Sequence, residues 1–162
     1  MRTLFVGAAF LICFSQNGIA TDWPQLLGPH RDGISTESNL SAPWPKDGPP
    51  VVWQKKIGAG FAGLVVTGGK LILFHRLGDR ETVECLGAQD GQPIWKFDYP
   101  TAYQDDFGFD PGPRATPTVA DGKVFTFGAD GALHALDFST GKKIWSVDCK
   151  TQYGAEKGFF GL

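Results

Sequence analysis

The residues best suited to chemistry lie in one stretch, residues 99–117, which reads YPTAYQDDFGFDPGPRATP. Three carboxylates, Asp105, Asp106 and Asp110, could bind Ca²⁺ through oxygen ligands, and Arg114 could bind an anionic ligand through its guanidinium. The carboxylates do not have the EF-hand spacing, so a solvated acidic turn and an Arg114 salt bridge to a nearby aspartate are the simpler interpretations. Because long loops often carry function, we predict that these four residues form a candidate ligand loop.

The other chemically capable residues form no recognisable catalytic or metal-binding pattern. His30, His75 and His134 are far apart in the sequence and lack metal-ligand spacing, and no Ser or Cys has a recognisable base partner. For Cys85 and Cys149, free thiols are the favoured interpretation, while a disulfide stays open. We therefore predict no catalytic residue, no metal site and no cofactor site in this chain.

The N-terminus has the features of a signal peptide over residues 1–20. Arg2 is the basic start, Leu4–Phe14 is an uncharged apolar run, and Gly18–Ala20 supplies small residues for cleavage. The apolar run is shorter than the roughly 20 residues of a membrane-spanning helix; an uncleaved membrane anchor is the alternative. We predict a secreted or periplasmic protein with no transmembrane span after cleavage.

Charge and composition exclude one class of partner and favour one class of fold. After removal of residues 1–20 the chain has 14 Lys and Arg against 17 Asp and Glu, because Arg2 is the only charged residue lost. No basic stripe is present, so we predict no nucleic-acid partner. The 22 Gly and 11 Pro are turn formers, and the 13 Phe and 5 Trp are bulky strand formers. This mixture indicates an all-β protein.

An internal repeat is the strongest pattern in the sequence. The stretch VTGGKLILF (66–74) matches VADGKVFTF (119–127), and DGQPIWKFD (90–98) matches TGKKIWSVD (140–148). Each copy alternates short apolar runs with glycine-containing turns, which predicts four strands and no helix. A unit of about 40–50 residues with four strands has the size of a β-propeller blade, and blades stack on one another to bury their faces.

The stretch ALDFSTGKKIW (135–145) has the pattern A-x-D-x-x-x-G-K-x-x-W. This pattern resembles the tryptophan-docking motif of the quinoprotein-dehydrogenase-like β-propellers, also called PQQ repeats. In that family the tryptophan packs between blades, over a peptide of the neighbouring blade. The resemblance implies that the ring of Trp145 is buried and that five residues serve blade docking: Ala135, Asp137, Gly141, Lys142 and Trp145.

The first copy and the N-terminal region extend this resemblance. The first copy keeps Gly91 and Trp95 as docking residues, whereas the Ala, Asp and Lys of the motif are replaced, the Ala by Cys85. Residues 22–35, DWPQLLGPHRDGIS, resemble the leader WPQWxGPxRDG of secreted PQQ-like repeat proteins. The resemblance implies an all-β fold, namely a partial β-propeller of four-stranded PQQ-type blades with about two to three blades present.

The repeats also predict how the chain is organised. The pentapeptide GFAGL at 60–64 recurs as GFFGL at 158–162, where a further copy would begin. A closed propeller needs at least about four blades, so we expect a fragment of a longer protein or, alternatively, closure by self-association. The expected segments are a signal peptide (1–20), a leader with a partial blade (21–57), a first blade (58–99), an inter-blade loop (100–117), a second blade (118–149) and the start of a truncated blade (150–162).

The resemblance to PQQ repeats specifies a fold more narrowly than an activity. The favoured hypothesis is an exported, non-catalytic scaffold that binds a protein, peptide or saccharide partner. One alternative is a fragment of a PQQ-dependent quinoprotein dehydrogenase, which would bring PQQ and Ca²⁺ as cofactors. The other is an outer-membrane protein assembly factor similar to BamB; the lack of a convincing lipobox at Cys13 counts against it.

Overall fold

The computed structural model describes residues 21–38, 40, 43–159 and 161–162. The predicted signal peptide, residues 1–20, lies outside the described residues. Within them, eight β-strands form two four-stranded antiparallel sheets that follow one another along the chain. The predicted fold class, an all-β partial array of four-stranded propeller blades, is confirmed.

The first blade is a meander in which each strand pairs with the next. Gly68 and Gly69 join its first two strands with φ angles of 54° and 71°. A two-residue type I′ hairpin requires positive φ at both positions, and glycine adopts such angles without strain. The strands of this blade are β1 (Val65–Thr67), β2 (Lys70–Leu77), β3 (Arg80–Gly87) and β4 (Pro93–Pro100).

The second blade repeats this order, and its first turn is formed by Asp121 and Gly122 with φ angles of 48° and 69°. Its second hairpin is shorter than the hairpin between β2 and β3, which explains why the two matched sequence blocks have different offsets. The strands of this blade are β5 (Thr118–Ala120), β6 (Lys123–Phe127), β7 (Ala132–Asp137) and β8 (Lys143–Asp148).

Each blade has a β-bulge next to its tryptophan. Cys85 of β3 faces Trp95 of β4, and the register shifts immediately after Cys85. Ala135 of β7 faces Trp145 of β8, and the register shifts at the same place. A bulge bends its strand and increases the local twist. The two blades therefore share a local distortion and a small residue opposite the tryptophan, in addition to their strand order.

The main hydrophobic core lies between the two sheets. Val124 and Leu136 of the second blade are fully buried in one cluster with apolar residues of the first blade. The repeated apolar residues of the inner strands thus bury one another, as stacked blades require. The first-blade members of this cluster are Val65, Ile72, Phe74, Val83 and Cys85, and Trp95, Phe97 and Tyr99 pack around them.

A short helix follows the second blade. The strand β8 ends at Asp148, and α1 (Cys149–Tyr153) begins directly after it. The Asp148 side chain accepts hydrogen bonds from two backbone amides of the first turn, and Gly154 ends the helix with a φ of 64°. The prediction of no helix is therefore wrong here, because two capping residues allow one turn of helix without helical periodicity. That residues 150–162 begin a further blade stays a prediction.

In the part of the chain that the structure describes, no helix has the length and apolar character needed to cross a membrane. The two thiols of Cys85 and Cys149 are both free. Cys85 is buried and Cys149 is half-buried, and burial raises the pKa of the Cys85 thiol. The favoured interpretation of two free thiols agrees with this arrangement.

Candidate functional site

Trp95 of the first blade is bound by a turn of the second blade. Its indole Nε1 donates a hydrogen bond to the backbone oxygen of Phe138 at 3.0 Å. Gly141 lies against the ring, since a Cβ at this position would be only 2.5 Å from Cε3 of Trp95. Gly141 also has a φ of 71°, an angle that favours glycine. The contact thus joins the blades through one polar and one packing interaction.

Asp137 orders the turn that receives this indole. Its Oδ1 accepts hydrogen bonds from the backbone amides and hydroxyls of Ser139 and Thr140 at 2.6–3.0 Å. These hydrogen bonds lower the pKa of Asp137 to about 2. The backbone amide of Asp137 donates to the carbonyl of Lys142, and that of Gly141 donates to the carbonyl of Asp137, both at 2.8 Å. The Lys142 side chain is exposed, so this residue takes part in the turn through its backbone.

Trp145 holds the equivalent position in the second blade but has different surroundings. The residue is 40% exposed, and its ring centroid lies 6.0 Å from that of Phe125. Ala135, which faces it across the sheet, is buried. The expected burial of Trp145 between two blades is not found. The described residues form two sheets, and neither packs over this ring.

A third tryptophan contact, outside the predicted docking residues, precedes the first blade. The indole Nε1 of Trp53 donates a hydrogen bond to the backbone oxygen of Ala88 at 3.1 Å. Gly91 lies against this ring, because a Cβ there would be 2.7 Å from Cε3 of Trp53. The sequence signal for this contact is Val-Val-Trp at 51–53, which parallels Pro-Ile-Trp at 93–95.

A buried carboxylate of the first blade adds one hydrogen bond between the blades. Glu81 of β3 is 0% exposed; it accepts hydrogen bonds from the Tyr99 hydroxyl at 2.6 Å and from the backbone amide of Ala129 at 2.9 Å. Burial raises the pKa of Glu81 and also that of Tyr99. The His134 ring lies 4.3 Å from the Tyr99 ring, and burial lowers the pKa of His134 to about 4. These groups are enclosed between the sheets and hold the two blades in a fixed position.

The candidate ligand loop does not bring its three carboxylates together. Asp105 pairs with Arg114, with 3.3 Å between Oδ1 and Nη2, and Asp106 pairs with Lys157. Asp110 accepts a hydrogen bond from a backbone amide two residues further on, at 2.7 Å. Among the described residues, no three His, Cys, Asp or Glu side chains form a group that could hold a metal ion. For Arg114, the salt bridge to a nearby aspartate is the interpretation that the structure supports.

Arg114 also packs on an aromatic ring of the same loop. Its Cζ lies 4.8 Å from the ring centroid of Tyr103, and Nζ of Lys157 lies 5.1 Å from the same centroid. Cations at these distances are attracted by an aromatic ring. The guanidinium of Arg114 therefore contacts Asp105 and Tyr103 within the loop. The alternative, in which the guanidinium of Arg114 is free to bind an anionic ligand, is not supported by this geometry.

Arg76, which lies outside the predicted site residues, holds the loop in place. Its Nη1 donates hydrogen bonds to the backbone oxygens of Tyr103 at 2.7 Å and Pro111 at 3.0 Å. Its Nε donates to the backbone oxygen of Gly78 at 2.8 Å. One guanidinium thus fixes both ends of residues 103–111. The longer β2–β3 hairpin of the first copy is the sequence signal, because Arg76 stands in that extension.

An open cleft with a volume of about 390 Å³ lies between Arg76 and the loop. Phe109, which is 61% exposed, stands in its lining beside Gln104, Asp105 and Asp110. Binding sites combine apolar surface with a few polar groups that fix the ligand's orientation. This cleft is the candidate functional site. Two predicted residues, Asp105 and Asp110, line it, whereas Asp106 and Arg114 do not.

The four-stranded blades, each carrying a tryptophan opposite a bulged strand, place this chain among the PQQ-type β-propeller proteins. A family model described as outer membrane protein assembly factor BamB matches residues 39–156. Because this match covers more than half of the chain, the chain belongs to that family.

Similar curated proteins are of two kinds. The outer membrane protein assembly factor BamB of Xanthomonas campestris pv. campestris is 40% identical over 48 residues, which are 30% of this chain and 12% of that protein. The quinohemoprotein alcohol dehydrogenase ADH-IIG of Pseudomonas putida is 31% identical over 109 residues, which are 64% of this chain and 14% of that protein. The chain therefore spans only a small part of the length of these relatives.

A solved structure supports the same fold. The quinohemoprotein alcohol dehydrogenase from Comamonas testosteroni superposes with a TM-score of 0.57 at 24% identity, over 81% of this chain and 20% of that chain. At this identity the likeness shows that the two blades are those of a PQQ-type propeller. It carries no statement about activity.

Proposed function

We propose that this chain is part of an exported propeller protein that binds a protein or peptide partner at the cleft beside the candidate ligand loop. The cleft itself is the main support: Arg76 fixes the loop, and Phe109 is exposed next to Asp105 and Asp110. Aromatic side chains are enriched in protein interfaces. The name of the BamB relative, an assembly factor, favours a protein partner over a saccharide.

Tyr103, beside this cleft, has a buried hydroxyl without a partner among the described residues. The residue lines the cleft and is 2% exposed. Its hydroxyl has no hydrogen-bond partner among the residues that the structure describes. A buried hydroxyl without a partner costs free energy, so a peptide would gain affinity here only if its binding brings a hydrogen-bonding group to this hydroxyl.

Binding is tested with a peptide array and a glycan array, each incubated with the labelled chain. Peptides that bind should then be titrated against Phe109→Ala and against the control Tyr153→Ala. Tyr153 is 69% exposed and lies in α1, away from the cleft. We expect Phe109→Ala to weaken binding about tenfold and Tyr153→Ala to leave it unchanged. Binding to glycans alone, or equal losses in both variants, would overturn the proposal.

A quinoprotein dehydrogenase is the second candidate, favoured by the 31% identity to ADH-IIG over 64% of the chain. Under this hypothesis the longer protein that contains this chain would bind PQQ and Ca²⁺ and oxidise alcohols. To separate the two candidates, PQQ and Ca²⁺ are added to that longer protein. Its quinone absorbance and its dye-linked oxidation of alcohols are then measured. Oxidation would overturn the non-catalytic scaffold, whereas partner binding without oxidation would support it.

Export is a separate part of the proposal and has its own measurement. When the chain is expressed in a Gram-negative bacterium, mass spectrometry of the periplasmic fraction should find a protein that begins at Thr21, directly after the predicted cleavage site. An intact Met1 in the cytoplasmic fraction would contradict export. The same intact terminus in the membrane fraction would indicate the alternative of an uncleaved anchor.

A further inference from the structure

Residues 58–62, which we call the 58–62 segment, connect β2 to the candidate ligand loop. The backbone of Ala59 pairs with that of Arg76: the Ala59 amide donates at 3.0 Å and the Arg76 amide donates at 2.7 Å. Two further amides of the segment donate to the backbone oxygen of Pro113, at 2.8 and 3.0 Å. The 58–62 segment thus supports Arg76, whose side chain fixes the loop, and also the later part of the loop itself.

These contacts are close because both partners have glycine there. A Cβ at Gly58 would overlap the backbone oxygen of Arg76, and a Cβ at Gly112 would overlap the backbone oxygen of Ala59. Closely packed contacts transmit strain from one element to the next. A movement of the 58–62 segment therefore moves the parts of the loop that it contacts.

A buried histidine holds the first residue of the segment. His75 is 3% exposed, and its Nδ1 accepts a hydrogen bond from the backbone amide of Gly58 at 2.8 Å. Because Nδ1 is the acceptor, the neutral ring carries its proton on Nε2, which lies 3.5 Å from Oε2 of Glu84. An imidazolium carries a proton on both nitrogens. The hydrogen bond to Gly58 therefore exists only while the His75 ring is neutral.

Charged groups from three elements act on the His75 ring: Glu84 of β3, Lys96 of β4, and Lys55, which precedes the segment. Burial lowers the pKa of His75, the charge of Glu84 opposes this shift, and the charges of Lys55 and Lys96 add to it. Nζ of Lys55 also lies 3.1 Å from Oε2 of Glu84, so the carboxylate is shared between two cationic partners once His75 is protonated. The ring is thus neutral at neutral pH and gains its proton below the ordinary value of about 6.5.

We propose that protonation of His75 releases the 58–62 segment from β2 and thereby loosens the candidate ligand loop in acid. The N–H of Gly58 then faces a second donor instead of an acceptor, and the segment no longer holds Arg76 and Pro113 in position. His75 is a positioning residue that does not touch the partner. The consequence, a cleft that binds near neutral pH and releases its partner in acid, rests on the proposed function. The release of the segment does not.

The release is measured without a partner, by NMR from about pH 7.5 to about pH 4.5. The ring signals of His75 give its titration, and the exchange rates of the backbone amides, divided by their intrinsic rates at each pH, give their protection. We expect the protection of residues 58–62 to fall at least about tenfold with the midpoint of His75, and the mobility of residues 103–111 to rise with it. Constant protection through the His75 titration, or an unchanged loop after the loss of protection, would overturn the proposal.

Two variants assign the effect to His75. His75→Asn keeps an acceptor close to the position of Nδ1 but does not titrate, so its protection should stay constant. The matched control His30→Asn changes an exposed histidine outside both sheets and should behave like the unmodified chain. Glu84→Gln removes the charge that raises the pKa of His75, so it should move both midpoints to lower pH, and it serves if His75→Asn does not fold. An undiminished loss in His75→Asn, or midpoints that separate in Glu84→Gln, would contradict the assignment.

The binding step uses an array-selected peptide that contains no Asp, Glu or His, so that its own charge is constant over this range. We expect its Kd to rise about tenfold from pH 7 to pH 5 in the unmodified chain and in His30→Asn, and to stay constant in His75→Asn. A Kd independent of pH despite release of the segment would overturn the regulation and leave the proposed function standing. If no peptide binds at the cleft, the proposed function fails, and the NMR titration alone confirms or overturns the release.

Discussion

Trp95 and Trp145 follow the same repeat, face a small residue and stand beside the same bulge, but their surroundings differ. Trp95 donates a hydrogen bond to Phe138 of the next blade and packs on its glycine. Trp145 is 40% exposed. Because the local structure is the same, the difference comes from the neighbouring blade alone. The motif thus supplies an indole N–H donor and an aromatic ring, and both are bound only where another blade packs against them.

The polar residues also differ between the face of the first blade that contacts the second blade and the equivalent face of the second blade. Glu81 and Tyr99 of the first blade are hydrogen-bonded beneath the second blade. By the repeat alignment, Gly131 and Cys149 stand at their places in the second blade. The tryptophan is therefore common to both repeats, whereas the buried carboxylate occurs only at the contact between the first and second blades.

The largest expected effect concerns Trp95. Trp95→Ala removes a half-buried ring from the inter-blade contact, and we expect a loss of about 3–5 kcal/mol in the free energy of unfolding. Trp145→Ala removes a largely exposed ring and should cost about 1 kcal/mol or less. Urea unfolding followed by circular dichroism measures both. Equal losses in the two variants would mean that the exposed ring is as important as the bound one.

The glycine beneath Trp95 gives the second prediction. Gly141→Ala should cost about 3 kcal/mol, because the new Cβ meets both the positive φ and the indole ring. The control Gly122→Ala also has a positive φ, but its Cβ would meet nothing within 4 Å, and it should cost about 1–2 kcal/mol.

A double-mutant cycle separates the two causes. In a Trp95→Ala background, Gly141→Ala should cost no more than Gly122→Ala, since the indole that it would meet is gone. An undiminished cost in that background would show that the backbone angle accounts for the whole effect and that the ring contact has no part in it.

Acid should weaken the inter-blade contact through His134. Burial lowers its pKa to about 4 in the folded chain, while the unfolded chain has the ordinary value of about 6.5. Between these values the unfolded state binds more protons, so stability falls as pH falls, by an amount on the order of 2 kcal/mol. The lowered pKa of His75 acts in the same direction, and the raised pKa of Glu81 acts in the opposite one.

Urea unfolding of His134→Phe between pH 4 and pH 7 isolates this contribution. We expect a flatter dependence on pH than in the unmodified chain, and an unchanged dependence in His30→Phe, whose side chain is exposed outside the interface. A dependence on pH that is the same in all three proteins would assign the acid sensitivity to other groups.

The smallest expected effect concerns the Tyr99 hydroxyl. Tyr99→Phe removes the hydrogen bond to the buried Glu81 carboxyl, and we expect a loss of about 1–2 kcal/mol in the free energy of unfolding. Tyr153→Phe, at an exposed position of α1, should change it by less than about 0.5 kcal/mol. A neutral Tyr99→Phe would indicate that Glu81 is held by the Ala129 amide alone.

The blades could be predicted from the sequence because their determinants are local. Turn dipeptides such as Gly68-Gly69 and alternating apolar runs fix hairpins, and the repeat reveals each hairpin twice. The helix α1 could not be predicted, since one turn held by Asp148 and Gly154 leaves no periodic pattern. Short capped turns of this kind depend on single side chains.

The candidate site was only partly predictable, because its geometry depends on contacts between distant residues. The loop was recognisable by its length and its carboxylates, and Asp105 and Asp110 do line the cleft. Arg76, however, reaches the loop across 27 and 35 residues of sequence, and Glu81 reaches Ala129 across 48. Such contacts are set by the packing of two sheets, which no local pattern encodes.

The exposed ring of Trp145 has an optical consequence. Of the two strongly exposed indoles, Trp44 at 64% and Trp145 at 40%, the first lies outside both blades and can be replaced by phenylalanine. Iodide in solution would then quench Trp145 emission before that of the half-buried indoles. A blade that covered this face would shield the ring and shift its emission to shorter wavelengths. The fluorescence of Trp145 therefore reports whether another blade packs against this face of the second blade.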